Sequence, residues 1–291
     1  MLRHRRLLLL WISVAAVALW SMLPFAGTIW ASLMTEGQLV QGLIQWNDRP
    51  TIGNYLAIFG LGQVSAVFGG QAEAIGRAFI NSIQVSLPVA IIGTAISILG
   101  GYAFGRYRFP LKNTLLFTLL TTRVLPPIAV IIPYFVIFAA LGLVGSPWGL
   151  ILIYLTSVVP LLTWVLMGYF GSLPVDLERA ARIDGCSRLG ALWHVMIPLA
   201  APGIAAAFII ALLIAWNELL FAMVLVGGSP SETLSPALLG LSPNMPGFRT
   251  VFVLFAAASI LSTIPPLLLA LLFQRYITGL NLADPLTAQR D

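Results

Sequence analysis

Charged side chains are what this sequence is short of. Asp, Glu, Lys and Arg make up 9% of its 291 residues, against about 25% in an ordinary soluble domain. With 59% apolar residues and a mean hydropathy of +0.97, a soluble surface cannot be covered, and that class is excluded. Cysteine is nearly missing as well. The single Cys186 rules out an internal disulfide and any CxxC metal or redox site. Cys186 and His194 share a loop, but a thiol–imidazole pair would need a defined pocket, and no His/Cys/Asp cluster supports a membrane enzyme. The phosphate-cradling pattern GxxxxGK[ST] is absent, which excludes nucleotide hydrolysis by that chemistry in this chain. The ten-residue alternation of barrel strands is also missing.

What is present is a series of apolar runs near 20 residues, the length that crosses a hydrocarbon core of about 30 Å. The runs predict an all-α polytopic membrane protein, a single domain over 1–291 with six spans. These fall near 7–33, 79–104, 115–141, 148–170, 202–226 and 251–273. The first run is too long for a signal-peptide core, so it reads as an uncleaved span. Residues 35–76 form the longest polar stretch, in which Gly60–Gly70 reads as a loop or loose surface segment. The third run is broken by Pro126, Pro127 and Pro133.

Six spans put both termini on one side. That side carries eleven Lys and Arg residues (Arg3, Arg5, Arg6, Arg106, Arg108, Lys112, Arg179, Arg182, Arg188, Arg275 and Arg290), and the other carries three (Arg49, Arg77 and Arg249). The imbalance predicts cytoplasmic termini. It also accounts for the net charge of +5 without nucleic acid as a partner.

Between the fourth and fifth runs lies a charged island, Leu173 to Pro202, holding six of the chain's 25 charged residues. Pro174 suits a first helical turn, with Asp176 and Glu178 near its positive end. Glu178 and Arg182 stand four apart in the favourable order. Gly185 suits the stop of this helix. Ser187 suits the cap of a second helix running to about Met196 and ended by Pro198. A solvated connector would need only 2–8 residues, so the length favours a docking element on the cytoplasmic side.

The island resembles the EAA loop of ABC-importer permeases, in which E-A-A is followed after three residues by G and after nine more by I-x-L-P. Ala180, Ala181, Gly185, Val195, Ile197 and Pro198 match it. The motif's acid position holds Arg179, with Glu178 one residue earlier. The form L-E-x-A-A-x-x-D-G, here Leu177 to Gly185, is similar to the carbohydrate branch of the family. Asn54-Tyr55, Phe59, Asn81-Ser82, Arg106 to Pro110, Thr122 to Pro127 and Ala215 to Leu219 extend the likeness to maltose- and trehalose-type permeases, the second permease of the pair.

The resemblance implies a type I permease fold, with 173–200 as a helix-turn-helix coupling loop contacting an ATPase through Leu177, Glu178, Ala180, Ala181, Asp184, Gly185 and Pro198. It implies a homologous permease as heterodimer partner, two cytoplasmic ATPase subunits that bind ATP and Mg, an extracytoplasmic solute-binding protein and a sugar substrate. No cofactor or metal is expected on this chain. Ionisable groups inside spans face a bundle interior or a watery path. Arg123, Trp216, Asn217 and Glu218 are therefore candidates for the translocation path, with an Arg123–Glu218 pair locking two spans as the structural alternative. Tyr134, Phe135 and Phe221 offer further ring faces. The outer loop Gly227–Arg249 is rich in Pro and Ser steps that resist regular helix. By the resemblance it reaches the binding protein through Ser235, Leu238, Leu239 and Asn244. The rival functions are an importer of a non-sugar solute and a stand-alone secondary transporter. The latter would show coupling acids or paired broken helices at midplane, and only Arg123 and Glu218 are available.

Overall fold

A computed structural model describes residues 2–41, 50–62, 69–241 and 252–278. Within them the chain is helical, in the order α1 (Leu2–Ser32), α2 (Glu36–Gln41), α3 (Gly53–Ile58), α4 (Gly69–Arg106), α5 (Lys112–Val124), α6 (Pro127–Ala140) and α7 (Pro147–Ser172). There follow α8 (Val175–Ile183), α9 (Arg188–Ala191), a π turn over Leu192–Met196, α10 (Ile197–Leu199), α11 (Ala201–Trp216), α12 (Leu220–Leu225), α13 (Leu234–Gly240) and α14 (Phe252–Thr278). No strand occurs among the described residues.

Among the described residues, four helical segments are long and apolar enough to cross a membrane: Leu10–Ser32, Gly70–Arg106, Pro147–Ser172 and Phe252–Gln274. Two bent pairs bring the count to six. One joins Lys112–Val124 to Pro127–Ala140 at 94°, and the other joins Arg188–Leu199 to Ala201–Trp216 at 80°. The first bend falls at Leu125 and Pro126, both extended, because a residue before proline is driven out of the helical region. Pro133 continues inside α6.

Three boundaries differ from the sequence reading. The second span is much longer than 79–104, since α4 begins at Gly69 and takes in the acidic turn around Glu73. There Glu73 pairs with Arg77 one turn later at 3.8 Å. The fifth span is not continuous over 202–226: helix stops at Trp216 and restarts at Leu220. The outer loop holds a regular helix, α13, despite its prolines, because Pro236 lies in the first turn, where a missing N–H costs little.

The chain forms two compact units. The first comprises 1–78 and 237–265. In it the Asn54 side-chain amide donates to the carbonyls of Ser32 and Met34, both at 2.8 Å, and the Tyr55 hydroxyl donates to Ser32 Oγ at 2.7 Å. These bonds hold the Asn-Tyr step against the end of α1.

The second unit comprises 79–236 and 266–291. Its core is the packing of α7 against α4 and α11, with Leu150, Ile153, Leu162, Leu166 and Phe170 fully buried. Small residues set the approach, as is usual where helices pack in lipid. A Cβ on Gly101 would sit 2.6 Å from the Leu166 Cβ, and one on Gly203 would sit 2.5 Å from the Tyr169 ring.

Candidate functional site

The charged island forms the expected helix–turn–helix. At its turn Gly185 has φ +93°, a conformation that side chains disfavour. The Gly185 N–H donates to the Arg182 carbonyl at 3.3 Å and the Cys186 N–H to the Ala181 carbonyl at 3.0 Å, the two bonds of a Schellman stop. Ser187 Oγ then caps the second helix by accepting from the Gly190 N–H at 3.1 Å. That helix does not end at Pro198. It runs on to Leu199 through the π turn, where the Ile197 N–H donates to the Leu192 carbonyl. The wider turn relieves the clash that a proline ring makes with the carbonyl four residues earlier.

Glu178 does not pair with Arg182. It is buried, with its Oε2 3.2 Å from Arg106 Nε at the end of α4, and its Oε1 accepts from the Tyr102 hydroxyl at 2.8 Å. Arg106 also donates to the carbonyls of Leu173 and Pro174 at 2.9 and 3.0 Å. Ala181 is buried beside Glu178. This inner face seats the island on the end of a membrane span. The opposite stripe, Asp176, Arg179, Ala180 and Ile183, is exposed, Ile183 at 86%. Within it Arg179 lies 3.2 Å from Asp176. Leu177 is 41% exposed, and Asp184 and Gly185 are exposed at the turn. Pro198 lines an apolar cleft with Ile197, Ala201 and Phe208. The seven coupling candidates are thus not one surface. Glu178 and Ala181 face inward, and Arg179 and Ile183, absent from that set, face outward. The Arg106 and Tyr102 tether was legible only as a span end, because its partner is 76 residues away from Tyr102 in the chain.

A cavity of about 740 Å³ lies in the same unit, between α5, α6, α7 and the break of the fifth span. Arg123 and Glu218 both line it, as do Tyr134 and Phe221. They do not form an ion pair. Arg123 donates to the Ser157 carbonyl at 2.5 Å. Glu218 accepts from the Phe221 N–H at 3.0 Å and the Ala222 N–H at 3.1 Å. A helix that restarts inside a membrane presents N–H groups without intrahelical partners, and here a carboxylate supplies the acceptors. Tyr154 is buried, with its hydroxyl within electrostatic reach of Glu218. Nothing along the chain marks it, because it sits in an otherwise apolar run.

Trp216 and Asn217 do not line this cavity. Trp216 is 4% exposed, with its ring edge-on to Phe79 at 5.7 Å. Asn217 turns back to donate to the Leu213 carbonyl at 2.9 Å. Phe135 is likewise outside the lining.

After α12, the outer segment up to Pro236 belongs to the second unit and is tied down from within it. Asn81 donates to the carbonyls of Pro230 and Glu232, both at 2.9 Å, and Ser82 Oγ accepts from the Leu234 N–H at 2.8 Å. The Ser235 hydroxyl donates to the Trp216 carbonyl at 3.2 Å, so Ser235 serves packing in this conformation. Leu238 and Leu239 lie on α13 and are half-buried. Asn244 lies outside the described residues.

Similarity to known proteins follows the same geometry. The family model for a binding-protein-dependent transport system inner membrane component matches residues 93–278, a stretch that includes both the cavity and the island. A sulfoquinovosyl glycerol transport system permease protein of Agrobacterium fabrum is 32% identical over 260 residues, covering 89% of this chain and 86% of the relative. A trehalose transport system permease protein of Mycobacterium tuberculosis is 32% identical over 248 residues, covering 85% and 84%. A trehalose/maltose transport system permease protein of Thermococcus litoralis is 33% identical over 199 residues, covering 68% and 71%. Among solved structures, a chain of a bacterial ABC transporter involved in import of the acidic polysaccharide alginate superposes with a TM-score of 0.76 at 21% identity. The match covers 92% of this chain and 95% of that one, and at that identity the likeness concerns the fold.

Proposed function

The chain belongs to the family of binding-protein-dependent transport system inner membrane components, and from that premise we propose that it is one permease subunit of an ATP-driven sugar importer. The similar proteins from Agrobacterium fabrum, Mycobacterium tuberculosis and Thermococcus litoralis are transport permeases whose names carry a glycoside or disaccharide. That agreement supports a sugar as the cargo. The chain is a multi-pass component of the inner membrane.

The observation that carries the reading is the seating of the island. A helix–turn–helix clamped to a membrane span by a buried ion pair, with an exposed stripe on its far side, is suited to pass a push from a soluble partner to the spans. In our reading Asp176, Arg179, Ala180 and Ile183 form the stripe that enters an ATPase subunit. Leu177, Asp184 and Gly185 border it. Glu178, Ala181 and Pro198 hold the island to the spans. Closure of two ATPase subunits on ATP and Mg then moves the island as a rigid body, and Arg106 carries that movement into α4. Rigid seating matters because a compliant link would dissipate a switch between discrete states.

A homologous second permease supplies the other half of the path, Arg123 and Glu218 belong to this half, and an extracytoplasmic binding protein delivers the sugar. The stretch of chain that carries Ser235, Leu238, Leu239 and Asn244 is the one we assign to that delivery. The termini and the island face the cytoplasm in this arrangement, in line with the eleven-to-three distribution of Lys and Arg.

The test is reconstitution with an ATPase, a second permease and a binding protein from the same organism, followed by uptake of labelled trehalose and maltose into vesicles. Uptake that requires ATP and the binding protein is expected. Transport by this chain alone without nucleotide would overturn the importer assignment. ATP-dependent uptake restricted to a non-sugar solute would overturn the cargo.

A further inference from the structure

A pocket of about 370 Å³ opens where α4 ends and the island begins. Its walls carry six cations. Arg106, Arg108 and Lys112 come from the end of α4 and the turn into α5, and Arg179, Arg182 and Arg188 come from α8 and α9. Among the described residues, Glu178 is the only acid in the lining, and its charge is already matched by Arg106. Arg179 is matched by Asp176. Among the described residues, Arg108, Lys112, Arg182 and Arg188 have no carboxylate within ion-pair distance. Two of these four are held in place by other means. Lys112 Nζ donates to the Tyr107 carbonyl at 3.2 Å, and the Arg188 guanidinium lies 5.1 Å from the centre of the Tyr107 ring.

Four uncompensated cations around one concavity repel each other, and a concave low-dielectric wall concentrates their field. An anion between them removes the repulsion. Guanidinium groups offer paired N–H donors that match phosphate oxygens, and cations from several directions suit a group with several acceptor oxygens better than a single carboxylate. Position along the chain adds to this: the pocket adjoins the basic end of α4, a segment long and apolar enough to cross a membrane, and basic residues gather at such span ends. Basic pockets at this position are typical receptors for anionic headgroups.

We propose that this pocket binds a phosphate group, carried by an anionic phospholipid headgroup or by a soluble phosphate ester. The bound group bridges the α4–α5 turn to the α8–α9 hairpin. Its consequence for coupling rests on the reading of that hairpin as the ATPase contact; the binding itself does not. A phosphate held there stiffens the joint through which the island moves α4, which makes ATPase–transport coupling dependent on membrane composition or on a phosphorylated metabolite.

The experiment uses the purified full chain in a zwitterionic detergent. It is titrated with phosphatidylglycerol, with phosphatidylcholine as the neutral control, and separately with inorganic phosphate and glycerol 3-phosphate. Native mass spectrometry reads lipid retention and calorimetry reads the soluble anions. Phosphatidylglycerol bound in preference to phosphatidylcholine identifies the lipid source. Glycerol 3-phosphate bound without lipid preference identifies the soluble one, and either result supports the site. The paired substitution R108Q/R182Q should weaken binding about 30-fold, since each basic residue near a membrane surface contributes a factor of about five. If that variant does not fold, the wild-type chain at about 50 and about 500 mM NaCl serves instead, because screening should weaken binding strongly over that range. No binding of any of these anions, or binding indifferent to both the substitutions and salt, overturns the proposal. It is also overturned if the substitutions leave lipid and phosphate binding intact but release the ATPase subunit, which would mean that the cations face an acidic protein surface. A complex that binds the anion but fails to import sugar sinks only the function above. A complex that imports sugar with an empty pocket sinks only this inference.

Discussion

Arg106 Nε stands 3.2 Å from Glu178 Oε2, between the end of a membrane span and the island, with the two side chains only 5% and 12% exposed. Charges so far out of water are held by each other and by their hydrogen bonds, and removing one partner strands the other. R106Q or E178A should therefore destabilise the chain by about 3–5 kcal/mol, seen as a lower melting temperature in detergent. R106M/E178M, which removes both charges, should recover most of that loss. It should still couple poorly, because the Arg106 bonds to the Leu173 and Pro174 carbonyls are lost as well. Equal melting temperatures for wild type and E178A would show that the pair does not seat the island.

Gly185 tests the turn without disturbing packing. Apart from its chain neighbours, no atom of this chain lies within 4 Å of where its Cβ would be, yet its φ is +93°, so within this chain a substitution acts through the backbone. Glycine holds such a conformation freely, asparagine tolerates it better than other residues, and a β-branched residue is a strained outlier there. The expected order of coupled transport is Gly, then G185N, then G185V, with an overall strain of about 1–3 kcal/mol. ATP hydrolysis by the complex should persist in G185V while uptake falls. Normal uptake in that variant would remove the turn from the coupling path.

The two intramembrane ionisable residues make separable predictions. Glu218 accepts from two backbone N–H groups where the fifth span restarts. E218L leaves both donors buried and unpaired, at a cost of about 1–3 kcal/mol each, and should lower the yield of assembled complex. E218Q keeps one acceptor oxygen and should fall between wild type and E218L. Because Arg123 bonds to the Ser157 carbonyl instead, R123L and E218L should combine additively in thermal stability, within about 0.5 kcal/mol. A larger coupling in the double-mutant cycle would mean that the two side chains meet.

The limits of sequence reading follow from the range over which each interaction acts. The Gly185 stop, the Ser187 cap and the break at Leu125 and Pro126 depend on residues within one or two turns of each other, so their chemistry is legible along the chain. Which side of α8 faces inward was not, since it depends on Arg106 and Tyr102, which arrive from another span. The Glu178–Arg182 spacing favoured a local pair, but a buried partner at the end of α4 holds the carboxylate instead. The break at Asn217 to Leu219 was concealed for a related reason. The run is apolar on both sides, and only the destination of the Glu218 oxygens marks where helix stops. The island signalled itself by charge, whereas Tyr154, buried on α7, was masked by apolar neighbours.

Glu232, in the segment after the fifth span, should make that segment sensitive to pH. Burial pushes its carboxyl above the usual carboxylate range, and a backbone hydrogen bond from Gly228 offsets part of that rise. The folded segment therefore holds its proton to higher pH than the unfolded chain does. Its contribution favours the fold fully below the unfolded carboxylate range and is lost as pH rises through the raised folded value. The Asn81 bonds to the Pro230 and Glu232 carbonyls carry no such dependence, so they hold the segment at either end of that range. Limited proteolysis between about pH 4 and about pH 7 should show cleavage within 227–236 becoming faster with pH in the wild type. E232Q, which cannot ionise, should show a flat profile over the same window, after correction for the protease's own pH dependence. N81A should raise cleavage at every pH and leave the slope unchanged. Parallel profiles for wild type and E232Q would place the Glu232 carboxyl in water.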